Sequence, residues 1–293
     1  MQRIALTTGV ELDVATAGDP AHPPMILLHG FPESHRTWRH VMPDLARDHF
    51  VIAPDQRGYA GSSKPEGVSA YTPDKPVADL IALADHFGLD RFTLVAHDWG
   101  GAIAWMAALK HPDRIARLVI INAPHPLIFQ RTLFDDPAQR AASQYMTAFR
   151  NPTLERHIET IGLDAFFDTS FAKHADLAML ADDKPDYLAE WSQPGAMTAM
   201  LNWYRASAII VPAMDETPAR PDWLDAPFPP LAMPVLVIWG LRDVALLPSQ
   251  LDGLDTLVPD LTIARVDAGH FVPWENPDAV IAAIRDWERH QPG

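Results

Sequence analysis

The chain has 293 residues, 48% of them hydrophobic and 21% charged, with a formal net charge of −15 and no cysteine. That is the balance of an ordinary soluble globular protein. The acidic excess argues against nucleic-acid and anionic-membrane partners, which need basic patches, and the lack of cysteine excludes a disulfide framework, a thiolate nucleophile and a Cys-ligated metal. The first fourteen residues alternate like a strand, with no charged-then-apolar leader, and no apolar run approaches the roughly 18 residues that span a bilayer. A cytoplasmic protein is expected. Short apolar runs follow at Met25–Leu28, Phe50–Ala53, Phe92–Ala96, Leu118–Ile121 and Val235–Trp239, bounded by Gly, Pro or Asp. They read as buried strands of a parallel sheet. Between the second and third, Val77, Leu80, Ile81, Ala84 and Phe87 share one helical face, with Pro76 suited to the first helical position and Gly88 to the stop. From about Pro126 to Pro230 the alternation gives way to helical stretches, scattered aromatics and a Pro-rich exit. The expected organisation is a core over residues 1–126, an inserted helical lid over 127–230, and the core resumed over 231–293. A strand-like Leu261–Val266 and a final helix close the chain. Asn276 can cap that helix, Pro277 can open it, and Val280, Ile281, Ile284 and Trp287 form its apolar stripe. Strands alternating with helices predict an α/β fold.

The sharpest local signal is Leu94-Val95-Ala96-His97-Asp98-Trp99-Gly100-Gly101-Ala102. An apolar strand, a turn among small residues and a helical pattern make a nucleophile elbow, which holds one side chain at the tip of a strand-to-helix bend. That side chain is Asp98. A carboxylate can displace a leaving group from saturated carbon and form an ester of the enzyme. Asp98 could instead cap the following helix, but capping does not require small residues around the turn.

Partners for such a nucleophile occur in the order nucleophile, acid, histidine. Asp243 lies just past the strand Val235–Trp239, and His270 follows Leu261–Val266, both where open α/β sheets collect their sites. A buried Asp accepting the His Nδ1–H would fix the tautomer and stabilise the imidazolium. The other acid position, after Leu118–Ile121, holds Asn122, which cannot carry the charge. The oxyanion hole is expected from the backbone amides of Phe31, in His29-Gly30-Phe31-Pro32, and Trp99.

Taken together, His29-Gly30-Phe31-Pro32-Glu33-Ser34, Asp55-Gln56-Arg57-Gly58-Tyr59-x-Gly-Ser62, His97-Asp98-Trp99-Gly100-Gly101 and Gly269-His270-Phe271 resemble the epoxide hydrolases of the α/β-hydrolase fold. The resemblance spans essentially the whole core. It implies an α/β-hydrolase core with a mostly parallel sheet and a helical cap. It implies attack of Asp98 on an epoxide carbon, then hydrolysis of the ester by water activated by His270 and oriented by Asp243. It also implies two lid tyrosines that assist ring opening. Leu201-Asn202-Trp203-Tyr204-Arg205 resembles the segment that carries one of them, and Gln144-Tyr145-Met146-Thr147-Ala148-Phe149 more loosely the other. Tyr187 sits in a charged stretch and reads as structural.

A related reading is dehalogenation of haloalkanes or haloacids with the same nucleophile. Phe31 stands where that family adds a second halide donor, His97 where it commonly has Gln, and Trp99 and Ala102 where a haloacid enzyme would need arginines. Two further readings are a scaffold that reuses the fold, which usually loses a triad member, and a metal hydrolase, for which no His-Glu-x-x-His motif is present. The expectation is therefore an enzyme without metal or cofactor, acting on a small apolar epoxide and water. Which epoxide, with what regio- and enantiopreference, and in what oligomeric state, is not legible.

Overall fold

The alternating N-terminus folds as two strands rather than one. In the computed structural model, which describes residues 1–171 and 177–291, β1 (Gln2–Ala5) and β2 (Glu11–Ala17) form an antiparallel pair. The turn between them passes through Gly9 at φ 85°, a left-handed conformation open to glycine at little cost. The remaining strands are β3 (Pro24–Leu28), β4 (Phe50–Pro54), β5 (Phe92–His97), β6 (Ile115–Ile121), β7 (Val235–Gly240) and β8 (Leu261–Val266). They make one eight-stranded sheet in the order β1-β2-β4-β3-β5-β6-β7-β8, parallel from β4 onwards.

The central strands are buried on both faces, so they carry runs of Val, Ile and Leu instead of alternation. Alternate residues feed two cores. Leu94, Ala96, Val235 and Val237 share one core with Leu80 and Leu83 of the helix α2 (Asp74–His86) and Ile103 of α3 (Asp98–Lys110). Val95, Val119, Leu236 and Ile238 face Val280, Ile284 and Trp287 of the last helix, α12 (Pro277–Arg289), beside Leu45 of the short α1 (Met42–Leu45). The Asn276 side chain caps α12 by accepting from the Ala279 amide at 3.2 Å. Helix α2 begins two residues earlier than Pro76 suggests. Pro76 is the third helical residue, where the backbone N–H would lack an intrahelical acceptor in any case, so the ring costs nothing there.

Between β6 and β7 the described residues form helices and no strand. These are α4 (Pro126–Asp135), α5 (Pro137–Ala142), α6 (Gln144–Arg150), α7 (Leu154–Ile161), α8 (Leu163–Phe171), α9 (Lys184–Trp191) and α10 (Ala196–Ala206). The short α11 (Val272–Glu275) follows β8. Polar and aromatic contacts hold the inserted helices on the core. The Trp191 indole donates to the Pro32 carbonyl at 3.0 Å and the Trp203 indole to the Arg57 carbonyl at 3.1 Å. Arg36 pairs with Asp186 and Glu190. Tyr187 is fully buried, packed with Phe167, Phe171, Trp191 and Trp274. No helix among the described residues is long and apolar enough to cross a membrane.

Candidate active site

Asp98 opens α3 directly after β5, with a φ of 49°. It does not act as the cap of its own helix, since the N-cap residue is His97. Close packing makes the bend. A Cβ on Gly30 would fall 2.4 Å from the Asp98 Cβ, and one on Gly100 would fall 2.5 Å from the carbonyl oxygens of Leu28 and His29. Neither site has room for a side chain, so these glycines let the elbow and the loop after β3 meet. There the Phe31 amide donates to Asp98 Oδ1 at 2.7 Å. The Phe31–Pro32 peptide is cis. The Trp99 amide lies in the first turn of α3, where backbone N–H groups have no intrahelical acceptor.

The second oxygen, Asp98 Oδ2, lies 3.5 Å from His270 Nε2. The opposite nitrogen, Nδ1, donates to Asp243 Oδ2 at 2.7 Å. Asp243 leaves β7 and His270 follows β8, so two adjacent parallel strands bring the pair together at their carboxyl ends. Asp243 is buried and well supplied with donors: the Ala245 and Leu246 amides reach Oδ1 at 2.8 and 2.9 Å. Asn122 Nδ2 reaches Oδ2 at 2.7 Å, while Asn122 Oδ1 accepts from the Gly240 amide. Asn122 cannot carry the charge of the triad acid. Its place is beside the acid, as a donor that holds it.

Charges at the site are set by neighbours that outweigh burial. Burial pushes the Asp98 carboxyl up, but the hydrogen bond and charge of His270, with His97 and the Phe31 amide, hold it below the ordinary value. Burial likewise raises Asp243, and His270 again brings it down. His270 is the reverse case: burial lowers it, while Asp243 and Asp98 together raise it well above the usual imidazole range.

Sequence reasoning missed a second buried pair. His97 Nδ1 bonds Glu33 Oε2 at 2.7 Å and His97 Nε2 bonds the His270 carbonyl at 2.9 Å. Glu33 also accepts from the Gly30 amide and the Thr37 hydroxyl. This bridge ties the loop after β3 to the elbow and to the backbone of His270. The only signal was position, an acid three residues after Gly30 and a histidine before Asp98, and neither states a partner.

Tyr145 on α6 and Tyr204 on α10 meet above Asp98, with ring centroids 6.1 Å apart. Tyr204 stands edge-on to Phe31 and Trp99, each at 5.0 Å. Burial and the Asp98 charge push both phenols well above the ordinary tyrosine value, with each other's company adding to this at Tyr204. A third phenol, Tyr59, also feels Asp98 but packs beneath His29 and Trp203. Two cavities, of about 350 and 500 Å³, both reach Asp98, and Tyr145 and Tyr204 line each of them.

The family model for the alpha/beta hydrolase fold matches residues 23–277. The chain is 33% identical to the AB hydrolase superfamily protein YfhM of Bacillus subtilis, over 97% of this chain and 96% of that one. It is 32% identical to Epoxide hydrolase A of Mycobacterium tuberculosis, over 98% of this chain and 96% of the relative. A solved structure described among novel epoxide hydrolases of the alpha/beta hydrolases superfamily, from metagenomes of hot environments, superposes with a TM-score of 0.92. It shares 48% identity over 99% of this chain and 98% of its own. An epoxide hydrolase of Bacillus megaterium, solved with an inhibitor, gives a TM-score of 0.85 at 30% identity, covering 98% of this chain and all of its own.

Proposed function

Because the chain belongs to the α/β-hydrolase fold family, with epoxide hydrolases among its relatives, we propose that it hydrolyses epoxides to vicinal diols through an ester on Asp98. The observation that carries this reading is a buried carboxylate nucleophile facing two protonated phenols across an apolar cavity. An epoxide needs both: a nucleophile for carbon and an acid for the ring oxygen. Residues 127–230 are taken as the cap that supplies the acids.

In the first step Asp98 Oδ2 attacks one epoxide carbon. The ring C–O bond breaks, its electron pair stays on oxygen, and the phenols of Tyr145 and Tyr204 hydrogen-bond that oxygen and supply its proton. A phenol suits this task because it donates near neutral pH without bringing charge into an apolar site. Oδ1, already held by the Phe31 amide, becomes the ester carbonyl oxygen.

Esterification cancels the Asp98 charge. His270 then loses one of the two carboxylates that raise it, so it gives up its proton more readily; that proton restores the phenol that served as acid and leaves a neutral imidazole able to act as base. It takes a proton from water, which attacks the Asp98 carbonyl carbon. The resulting oxyanion on Oδ1 is stabilised by the amides of Phe31 and Trp99. Collapse breaks the bond from carbon to Oδ2, and the His270 proton goes to the departing alkoxide. The diol thus carries Oδ2, and Asp98 keeps the oxygen of water; the proton left on its carboxyl passes to His270, which restores the starting charges.

A dehalogenase would hold halide between the Trp99 indole N–H and a second donor, and Phe31 stands where that donor would be. The test is a steady-state screen of styrene oxide-type epoxides against bromoalkanes. Diol formation is expected; bromide release without diol would replace this reading with dehalogenation.

A further inference from the structure

We propose that the substrate is an internal, 1,2-disubstituted epoxide whose two arms lie in separate cavities on either side of Asp98. The inference rests on the epoxide reading above. The first cavity, about 350 Å³, runs from Asp98 past Trp99, Ile103, Leu127, Phe129 and Phe228. Its one amide, Gln130, is spent on the Ile210 backbone, donating to the carbonyl and accepting from the amide at 2.8 Å each. The Ser207 hydroxyl at its wall accepts from the Ile209 amide at 3.2 Å, so the cavity offers mainly carbon to an arm. The second cavity, about 500 Å³, leaves Asp98 in another direction, between Phe31, Phe149, Phe166, Val244 and Phe271. Each volume falls within the range of small-molecule sites.

The two cavities share Asp98, Tyr145 and Tyr204 and little else. An epoxide held there has its oxygen at the phenols and one carbon at Asp98. Its two carbons then direct their substituents apart, one into each cavity. A terminal epoxide fills one cavity and leaves the other wet. His270 lines only the second cavity, so that cavity must also admit the hydrolytic water. Its hydroxyls, on Thr169 and on Ser170, are consistent with such traffic; that of Ser170 has no partner among the described residues.

The experiment compares trans-stilbene oxide with styrene oxide, which share the reacting benzylic carbon and differ by one aryl arm. Burying that arm should raise kcat/KM by about 10- to 100-fold, the usual worth of one buried aromatic side chain. Two variants narrow the second cavity: Ala142→Phe on α5 and Ala141→Trp on its exposed rim. Each should erase most of the stilbene oxide advantage in single-turnover alkylation and leave styrene oxide alkylation within about twofold, since the first arm and the reacting groups are untouched and this step uses no water. Equal kcat/KM for the two substrates, or equal losses on both in the variants, would overturn the two-arm assignment. Inertness of the wild-type protein toward both would instead remove the epoxide reading on which it rests.

Discussion

His270 faces carboxylates on both ring nitrogens, Asp243 at 2.7 Å and Asp98 at 3.5 Å, and only one of them is consumed by the first chemical step. His270→Gln removes the base while leaving Asp98 free to attack. The ester should accumulate, read as a gain in protein mass equal to the epoxide; unchanged steady-state turnover in that variant would exclude the role. The phenols act on the other half. An alkoxide leaves poorly unless its oxygen gains a hydrogen bond in the transition state. Tyr204→Phe should therefore slow single-turnover alkylation by about 100-fold, the lower end of the usual range for one acid group, since Tyr145 remains. The double variant Tyr145→Phe, Tyr204→Phe should be close to inactive with an unchanged circular dichroism spectrum. Alkylation at wild-type rate in the double variant would leave the ring oxygen without its donors and end the proposal.

The phenols come from different helices, so their spacing depends on how α6 and α10 are joined. Arg150 at the end of α6 does this. Its Nε donates to the carbonyl of Tyr204 itself at 3.0 Å and a terminal nitrogen to that of Ile209 at 2.8 Å. Arg205 adds a bidentate bond to Glu155 of α7, at 2.6 and 2.7 Å. Arg150→Met keeps most of the apolar stem and loses both bonds. Alkylation should fall by about tenfold, roughly 1.4 kcal/mol, with little change in KM; stopped-flow rates matching wild type would show that the brace does not set the phenols. A second joint lies where the chain leaves the core. The His125 side chain accepts from the Leu127 amide at the start of α4 and is packed between Trp105 and Phe228. Burial lowers its pKa from 6.5 to about 4. The folded value lies below the unfolded one, so the unfolded chain binds the proton more tightly. Stability is then full above about pH 6.5 and falls as pH drops toward 4, by on the order of 3 kcal/mol at most. His125→Asn keeps an acceptor and cannot titrate. Its Tm should fall less than that of wild type between pH 7 and 4, and parallel declines would assign the acid loss elsewhere.

At the scale of the whole molecule, legibility followed periodicity and topology. The central strands could be read because burial on both faces leaves long apolar runs; Asp98 and Asp243 each follow such a run, and His270 follows the half-exposed edge strand Leu261–Val266. The hairpin of β1 and β2 read as one strand, since alternation does not mark where a chain turns. The lid read only as helical. Its helices are short, broken by proline, and stabilised by contacts with the core that no local pattern encodes. The Glu33–His97 bridge, the bond from Asn122 to Asp243 and the two cavities were invisible for the same reason. Each joins residues far apart in sequence. Those long-range contacts also bear on how the lid moves. Trp191 and Trp203 are buried against the core and bond its backbone, and Phe171 packs on Phe271 and Trp274. Opening the lid as a body would expose these rings together, at a cost of roughly 1.5–3 kcal/mol for each large side chain. A lid so attached should not unfold alone. Tryptophan fluorescence, which samples both lid and core, and far-ultraviolet circular dichroism should give one coincident denaturant transition. An earlier fluorescence transition with the sheet signal intact would show a lid that separates first, and substrate entry would then have to be described by lid opening rather than by passage through the two cavity mouths.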